Sequence, residues 1–315
     1  MSQPLDEESS GSDEERCGRY PGARAPDRRR RVNAHGLGIT VSEWGDAEGP
    51  PLLLAHGGFD FAGTYAVFAP LLAERGWRVV SWDQRGHGDS DHAALYTWDA
   101  DVRDALAVLD ATTREPVPFV GHSKGAGMLT TLAQILPHRA SHVVSIDGLP
   151  SARHRRPEPS GDERTRYMAE LFGDMLDRRR RLAETQRRPG TLEELARRRG
   201  RMNPRLSFEW LCYLVTVGAR HDPDGWRWKL DPVMRFGGFG PWRPEWARNQ
   251  LPSLSVPLLG ILVGIIEEMG FETSREDVEP YLPRDSRIEV IEDSGHFVHI
   301  EKPAEIAALV CDFLS

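Results

Sequence analysis

The sequence predicts an α/β fold, a mostly parallel, doubly wound sheet interrupted by a mainly helical insertion. Three observations carry this expectation. Short apolar runs alternate with helix-period segments from residue 37 to about 150. The rhythm stops over 151–250, which holds no apolar strand run, and it resumes at Val256. The chain has 315 residues, 39% of them hydrophobic, which suffices for a packed core carrying a sizeable insertion.

Residues 1–31 are polar, rich in Ser, Gly, Pro and Arg, and end in Arg28-Arg29-Arg30-Arg31. They hold too little apolar surface to offset the entropy of ordering, so a disordered tail is expected, with the arginines solvated. Leu52-Leu53-Leu54-Ala55 then reads as a strand ending in His56-Gly57-Gly58, and 64–75 carries a helical period. Arg78 to Trp82 is the next strand, 98–112 a helix, and Val117 to Val120 a strand leading into a helix over 124–137. The strand at 142–147 closes this half. After the insertion come strands at Val256 to Val263 and Arg287 to Ile291 and a helix over 303–314. Residues 32–150 and 251–315 thus form one core, and 151–250 a helical cap. Short apolar strands joined by amphipathic helices are covered on both faces.

The formal net charge of −8 argues against a nucleic-acid partner, which needs a basic footprint. No apolar run is long enough to span a membrane. Cys17, Cys212 and Cys311 have no metal-type spacing and too few partners for a disulfide framework. The acidic N-terminus lacks the apolar core of a secretory signal. A cytoplasmic protein without metal or organic cofactor is expected, its oligomeric state left open.

The chemistry concentrates in three short segments. Gly121-His122-Ser123-Lys124-Gly125 fits G-x-S-x-G, following an apolar strand and opening a helix. Flanking glycines permit a tight turn that lifts the Ser123 hydroxyl above the sheet edge, where a helix N-terminus favours negative charge. The alternative is a turn serine that caps the helix. His56-Gly57-Gly58-Phe59 ends an earlier strand, and Asp83-Gln84-Arg85-Gly86-His87-Gly88-Asp89-Ser90 follows the next one. Near the C-terminus, Gly295-His296-Phe297-Val298-His299-Ile300-Glu301-Lys302-Pro303 places an imidazole directly after a glycine.

Together these segments resemble the α/β-hydrolase family over about 37–150 and 255–315. The resemblance implies a serine hydrolase with Ser123 as nucleophile and His296 as general base, preferred to His299; His122 is a packed neighbour. It also implies an oxyanion hole from the backbone N–H groups of Lys124 and Gly58, with Phe59 the alternative to Gly58. The aspartate-to-serine loop is read as structural. The acid of such a triad usually leaves the strand before the last, which here runs Val263-Gly264-Ile265-Ile266-Glu267-Glu268. Glu267 is therefore the expected acid, a departure from the commoner Asp, and Glu268 and Asp147 are its rivals. Lys124 is unusual beside the nucleophile, and its ammonium is expected to reach a carboxylate of the cap.

Five of the nine tryptophans lie in the insertion, Trp210, Trp226, Trp228, Trp242 and Trp246, with Phe236 and Phe239 close by. Phe59, Trp226 and Trp242 are candidates to line a pocket for an apolar or aromatic small-molecule substrate; packing of the cap onto the core is the alternative. Ester cleavage, as by a carboxylesterase, lipase or lactonase, is the expected reaction. C–C bond hydrolysis, a cofactor-free haloperoxidase activity and a small-molecule receptor that retains the triad are the other readings. An aspartate nucleophile, as in the haloalkane dehalogenases and epoxide hydrolases of this fold, is disfavoured because position 123 is Ser.

Overall fold

The six strands expected from the apolar runs join two more in one eight-stranded sheet. The structure is a computed structural model, and it describes residues 18–150, 161–182, 184–234 and 244–315. Along the chain, β1 (Arg28–Ala34), β2 (Leu37–Trp44) and β3 (Pro51–Ala55) precede α1 (Phe68–Ala73) and β4 (Arg78–Trp82). Then come α2 (Trp98–Asp110), β5 (Val117–His122), α3 (Lys124–Ile135) and β6 (Ala140–Ile146). The insertion contributes α4 (Gly161–Leu182), α5 (Leu192–Gly200), α6 (Phe208–Gly218), β7 (Ala219–Asp222), β8 (Gly225–Trp228) and α7 (Pro244–Gln250). The chain closes with β9 (Leu258–Val263), α8 (Arg275–Val278), β10 (Arg287–Ile291), α9 (Val298–Glu301) and α10 (Pro303–Phe313).

The strands lie in the order β1-β2-β4-β3-β5-β6-β9-β10; from β4 to β10 every neighbouring pair is parallel, and β1–β2 and β2–β4 are antiparallel. The pleat divides each apolar run between two cores. Leu53, Val80, Phe119 and Val143 face α2 and α3, meeting Val108, Leu109, Met128 and Leu132. Leu52, Leu54, Val79, Val120 and Val144 face the other way, onto Phe68 and Leu72 of α1 and Ile306 and Val310 of α10. Strand order reverses between β3 and β5, so the carboxyl ends of these neighbours open a crevice of the kind in which α/β sheets bind ligands.

Two expectations need correction. Arg28 to Arg31 are not a solvated tail; they form most of β1, in register with Thr40 to Glu43 of β2. Successive side chains find separate carboxylates, Arg28 and Arg30 on the buried Glu43 and Arg29 and Arg31 on Asp89 and Asp91. Paired charge on a strand edge is stable where composition alone suggests disorder. The insertion also holds strand: β7 and β8 form an antiparallel hairpin closed by Pro223 and Asp224, and β8 opens on Gly225, whose φ is +124°. Its polar residues gave no apolar run to read.

The insertion docks through aromatic side chains. Leu195 of α5 and Trp210, Leu211 and Leu214 of α6 pack in one cluster with Phe61 and Phe297, two core residues. A Thr191–Glu194 capping box starts α5, and Arg197, Arg198 and Arg199 close it where the helix dipole favours positive charge. Among the described residues no helix is long and apolar enough to cross a membrane.

Candidate active site

The turn between β5 and α3 carries Ser123 at φ +53°, ψ −123°, a conformation L-residues rarely hold. Its surroundings leave no room for larger neighbours. A Cβ on Gly121 would lie 2.5 Å from the Ala126 nitrogen, and one on Gly125 2.3 Å from the Ala55 oxygen. These glycines let α3 start hard against the sheet. The Ser123 side chain makes no cap hydrogen bond to its helix, which sets aside the capping alternative.

The hydroxyl instead donates to Nε2 of His296 at 3.1 Å. On the far side of the ring, Nδ1 donates to Oδ2 of Asp147 at 2.5 Å. That carboxylate fixes the tautomer: a proton on Nδ1 leaves the Nε2 lone pair facing the hydroxyl. Ser123, His296 and Asp147 are all buried.

Glu267, the acid expected from the sequence, does not meet the imidazole. Its Oε2 accepts the backbone N–H of His296 at 2.6 Å, and burial raises its pKa. Glu268 is exposed. The reason lies in strand adjacency: β6, which Asp147 directly follows, is the neighbour of β5, whereas β9 lies one strand further away. Asp147 turns at φ +39°, a left-handed conformation Asp tolerates better than most residues. The close approach of Glu267 needs a glycine, because a Cβ on Gly295 would lie 2.2 Å from Glu267 Oε2.

His122 donates through Nε2 to the His296 carbonyl at 2.8 Å, and its ring packs 4.6 Å from that of His296. Burial drives the His122 pKa well below the usual value, with His299 and His296 adding to the shift. His299 is likewise buried, its pKa pushed down to about 3 by burial. Both rings are neutral packing groups beside the site.

The His56-Gly57-Gly58-Phe59 turn lies directly against the serine, since a Cβ on Gly57 would be 3.2 Å from Ser123 Cβ. Gly58 is thereby held next to the nucleophile turn. Phe59 follows at φ +63°, and its N–H donates to Nε2 of the buried His87 at 3.3 Å. The aspartate-to-serine loop is a brace: Asp83 accepts from the backbones of Ala62 and Asp89, each at 2.8 Å. Gln84 donates through its backbone N–H to His56 Nε2 at 3.0 Å.

Lys124 pairs with a carboxylate of the core, where one of the cap was expected. Its ammonium lies 2.7 Å from Asp101 of α2, both groups buried, beside an Arg85–Asp104 pair with two contacts of 2.7 Å. The Phe59 side chain packs with Ala93, Tyr96, Val233 and Met234. Trp226 stacks on His221, ring centroids 4.9 Å apart, and joins the insertion's own cluster. Trp242, Phe236 and Phe239 lie outside the described residues. Sequence reading missed Arg199 of α5, which donates to the Phe59 carbonyl at 2.9 Å; no motif or spacing marks it. Among the described residues no group of three His, Cys, Asp or Glu side chains is placed to hold a metal ion.

A hydroxyl, an imidazole and a carboxylate in this order can pass a proton from oxygen to nitrogen while the carboxylate stabilises the resulting imidazolium. Known proteins resemble this chain in sequence and in fold. A serine hydrolase-like protein of Dictyostelium discoideum is 35% identical over 117 residues, which cover 36% of this chain and 32% of that protein. Epoxide hydrolase A of Mycobacterium tuberculosis is 22% identical, with 91% of this chain and 97% of that protein covered. The solved thioesterase domain from the curacin biosynthetic pathway superposes with a TM-score of 0.74 at 22% identity, covering 90% of this chain and 99% of that one. The profile of the alpha/beta hydrolase family matches residues 52–309. The chain belongs to the alpha/beta hydrolase family.

Proposed function

We propose that the protein is a serine hydrolase cleaving an ester-type carbonyl substrate, with Ser123 as nucleophile, His296 as general base and Asp147 as the orienting acid. The observation that carries this reading is the relay itself, 3.1 Å from hydroxyl to imidazole and 2.5 Å from imidazole to carboxylate. In the proposed cycle His296 takes the Ser123 proton as the oxygen attacks the carbonyl carbon. The tetrahedral oxyanion rests on the backbone N–H groups of Lys124 and Gly58. His296 then protonates the leaving alcohol, and afterwards activates the water that releases the acid. The insertion serves as a cap over the crevice, and the substrate is a small molecule with an apolar acyl or alcohol group. A serine rather than an aspartate at 123 favours acyl transfer over the chemistry named for the mycobacterial relative.

A fluorophosphonate probe tests the assignment. Covalent labelling at Ser123, abolished in Ser123→Ala, and turnover of 4-nitrophenyl acetate are the expected results. A folded native protein that neither labels nor turns over a panel of short and long acyl esters refutes the proposal.

A further inference from the structure

The turn beside the nucleophile is gripped from two directions. Phe59 sits at φ +63°, a conformation strained for a non-glycine residue that persists only when its surroundings enforce it. Its N–H is held by His87, on the loop after β4; its carbonyl is held by Arg199, on α5 of the insertion. The Arg199 guanidinium also lies 3.7 Å from the buried carboxylate of Asp60, the next residue of the turn. It stacks 5.8 Å from the Phe297 ring, which adjoins His296. One side chain from the insertion thus touches both loops that flank Ser123.

We infer that Arg199 is a positioning residue through which the insertion sets the oxyanion hole, by clamping the peptide that follows Phe59 and so fixing the Gly58 N–H. This inference rests on the serine hydrolase reading and deepens it. A guanidinium can bond the Phe59 carbonyl and offset the Asp60 charge at once, because its donors fan out in a plane. Without it, Phe59 is free to leave its left-handed conformation and the turn rotates away from Ser123. Oxyanion donors act only within about 2.7–3.1 Å of the developing charge, so a shift of about 1 Å costs up to about a hundredfold in rate. Ground-state binding depends far less on that distance. The loss therefore falls on kcat.

The test is steady-state hydrolysis of 4-nitrophenyl acetate by the full chain, as native, R199A and R199K proteins, with phenylboronic acid as a tetrahedral inhibitor. R199A is expected to lower kcat roughly 10- to 100-fold with KM within about threefold of native, and to weaken phenylboronic acid by a similar factor. R199K retains one donor and is expected to recover part of kcat. Should R199A fail to fold, R199K decides alone: kcat about three- to tenfold below native supports the clamp, and native kcat overturns it. A raised KM at unchanged kcat also overturns it, because Arg199 is then a substrate contact. A native enzyme with no turnover and no fluorophosphonate label sinks the hydrolase reading and this inference with it. An active native enzyme matched by R199A sinks the clamp alone.

Discussion

His296 is held by two carboxylates that divide the work, Asp147 on the ring and Glu267 on the backbone N–H. Their removal has different consequences. Asp147→Asn leaves the volume intact but destroys the preference for a proton on Nδ1, and is expected to lower kcat by about 10³–10⁴-fold. Glu267→Gln keeps an acceptor for the backbone N–H and is expected to cost no more than about tenfold. Stopped-flow or steady-state kcat values for the two variants on one ester check this; comparable losses would return Glu267 to the role expected from sequence. Ser123 and His296 were legible because each is locally encoded, by glycines that shape its own turn. The carboxylate that meets the imidazole was not, since it depends on which strand lies beside β5, a long-range fact absent from the run Val263 to Glu268. Arg199 was hidden for the same reason: its hydrogen-bond partner Phe59 is 140 residues away in the chain.

At the scale of elements, α2 and α3 are joined by charge as well as by apolar packing. Lys124 and Asp101 are both buried and 2.7 Å apart. Such a pair stabilises little on balance, yet removing one partner strands the other. Lys124→Met is expected to lower stability by about 3 kcal/mol, and adding Asp101→Asn to recover part of that loss. Urea unfolding of the two variants measures both steps. Equal stability of Lys124→Met and the native protein would place the pair in a better-solvated setting. The apolar strands and the helices that pack on them were legible from pattern. The polar elements were not: β7–β8 was obscured by its mixed composition and β1 by four arginines, because their ion pairs with Glu43, Asp89 and Asp91 leave no periodic trace in the chain.

Across the whole molecule, the sheet buries imidazoles in their neutral form. Burial pushes His56 and His299 down to about 3, and His87 and His122 well below the usual histidine range. Each such group binds a proton readily when unfolded and poorly when folded. Its contribution to stability is fully present above about pH 6.5 and is lost progressively as pH falls below that. Asp83, raised by burial to about 6, runs the other way: its contribution is present at low pH and is lost as pH rises from about 4 through 6. His299 isolates the first effect, since neither of its ring nitrogens has a hydrogen-bond partner among the described residues. His299→Leu is expected to gain on the native protein by about 1 kcal/mol for each pH unit below 6.5, read from urea midpoints at pH 7, 6 and 5. A pH-independent difference between the two proteins would contradict it.

The arginines of β1 have one more consequence. An open sheet ends in unpaired backbone groups that invite a strand from another molecule. Here that border carries four guanidinium groups in succession, each bonded to a carboxylate of its own chain. A second sheet approaching along this side meets a fence of like charge, and has to break internal ion pairs before any hydrogen bond can form. The segment whose composition is least suited to a folded protein therefore discourages the fold from polymerising.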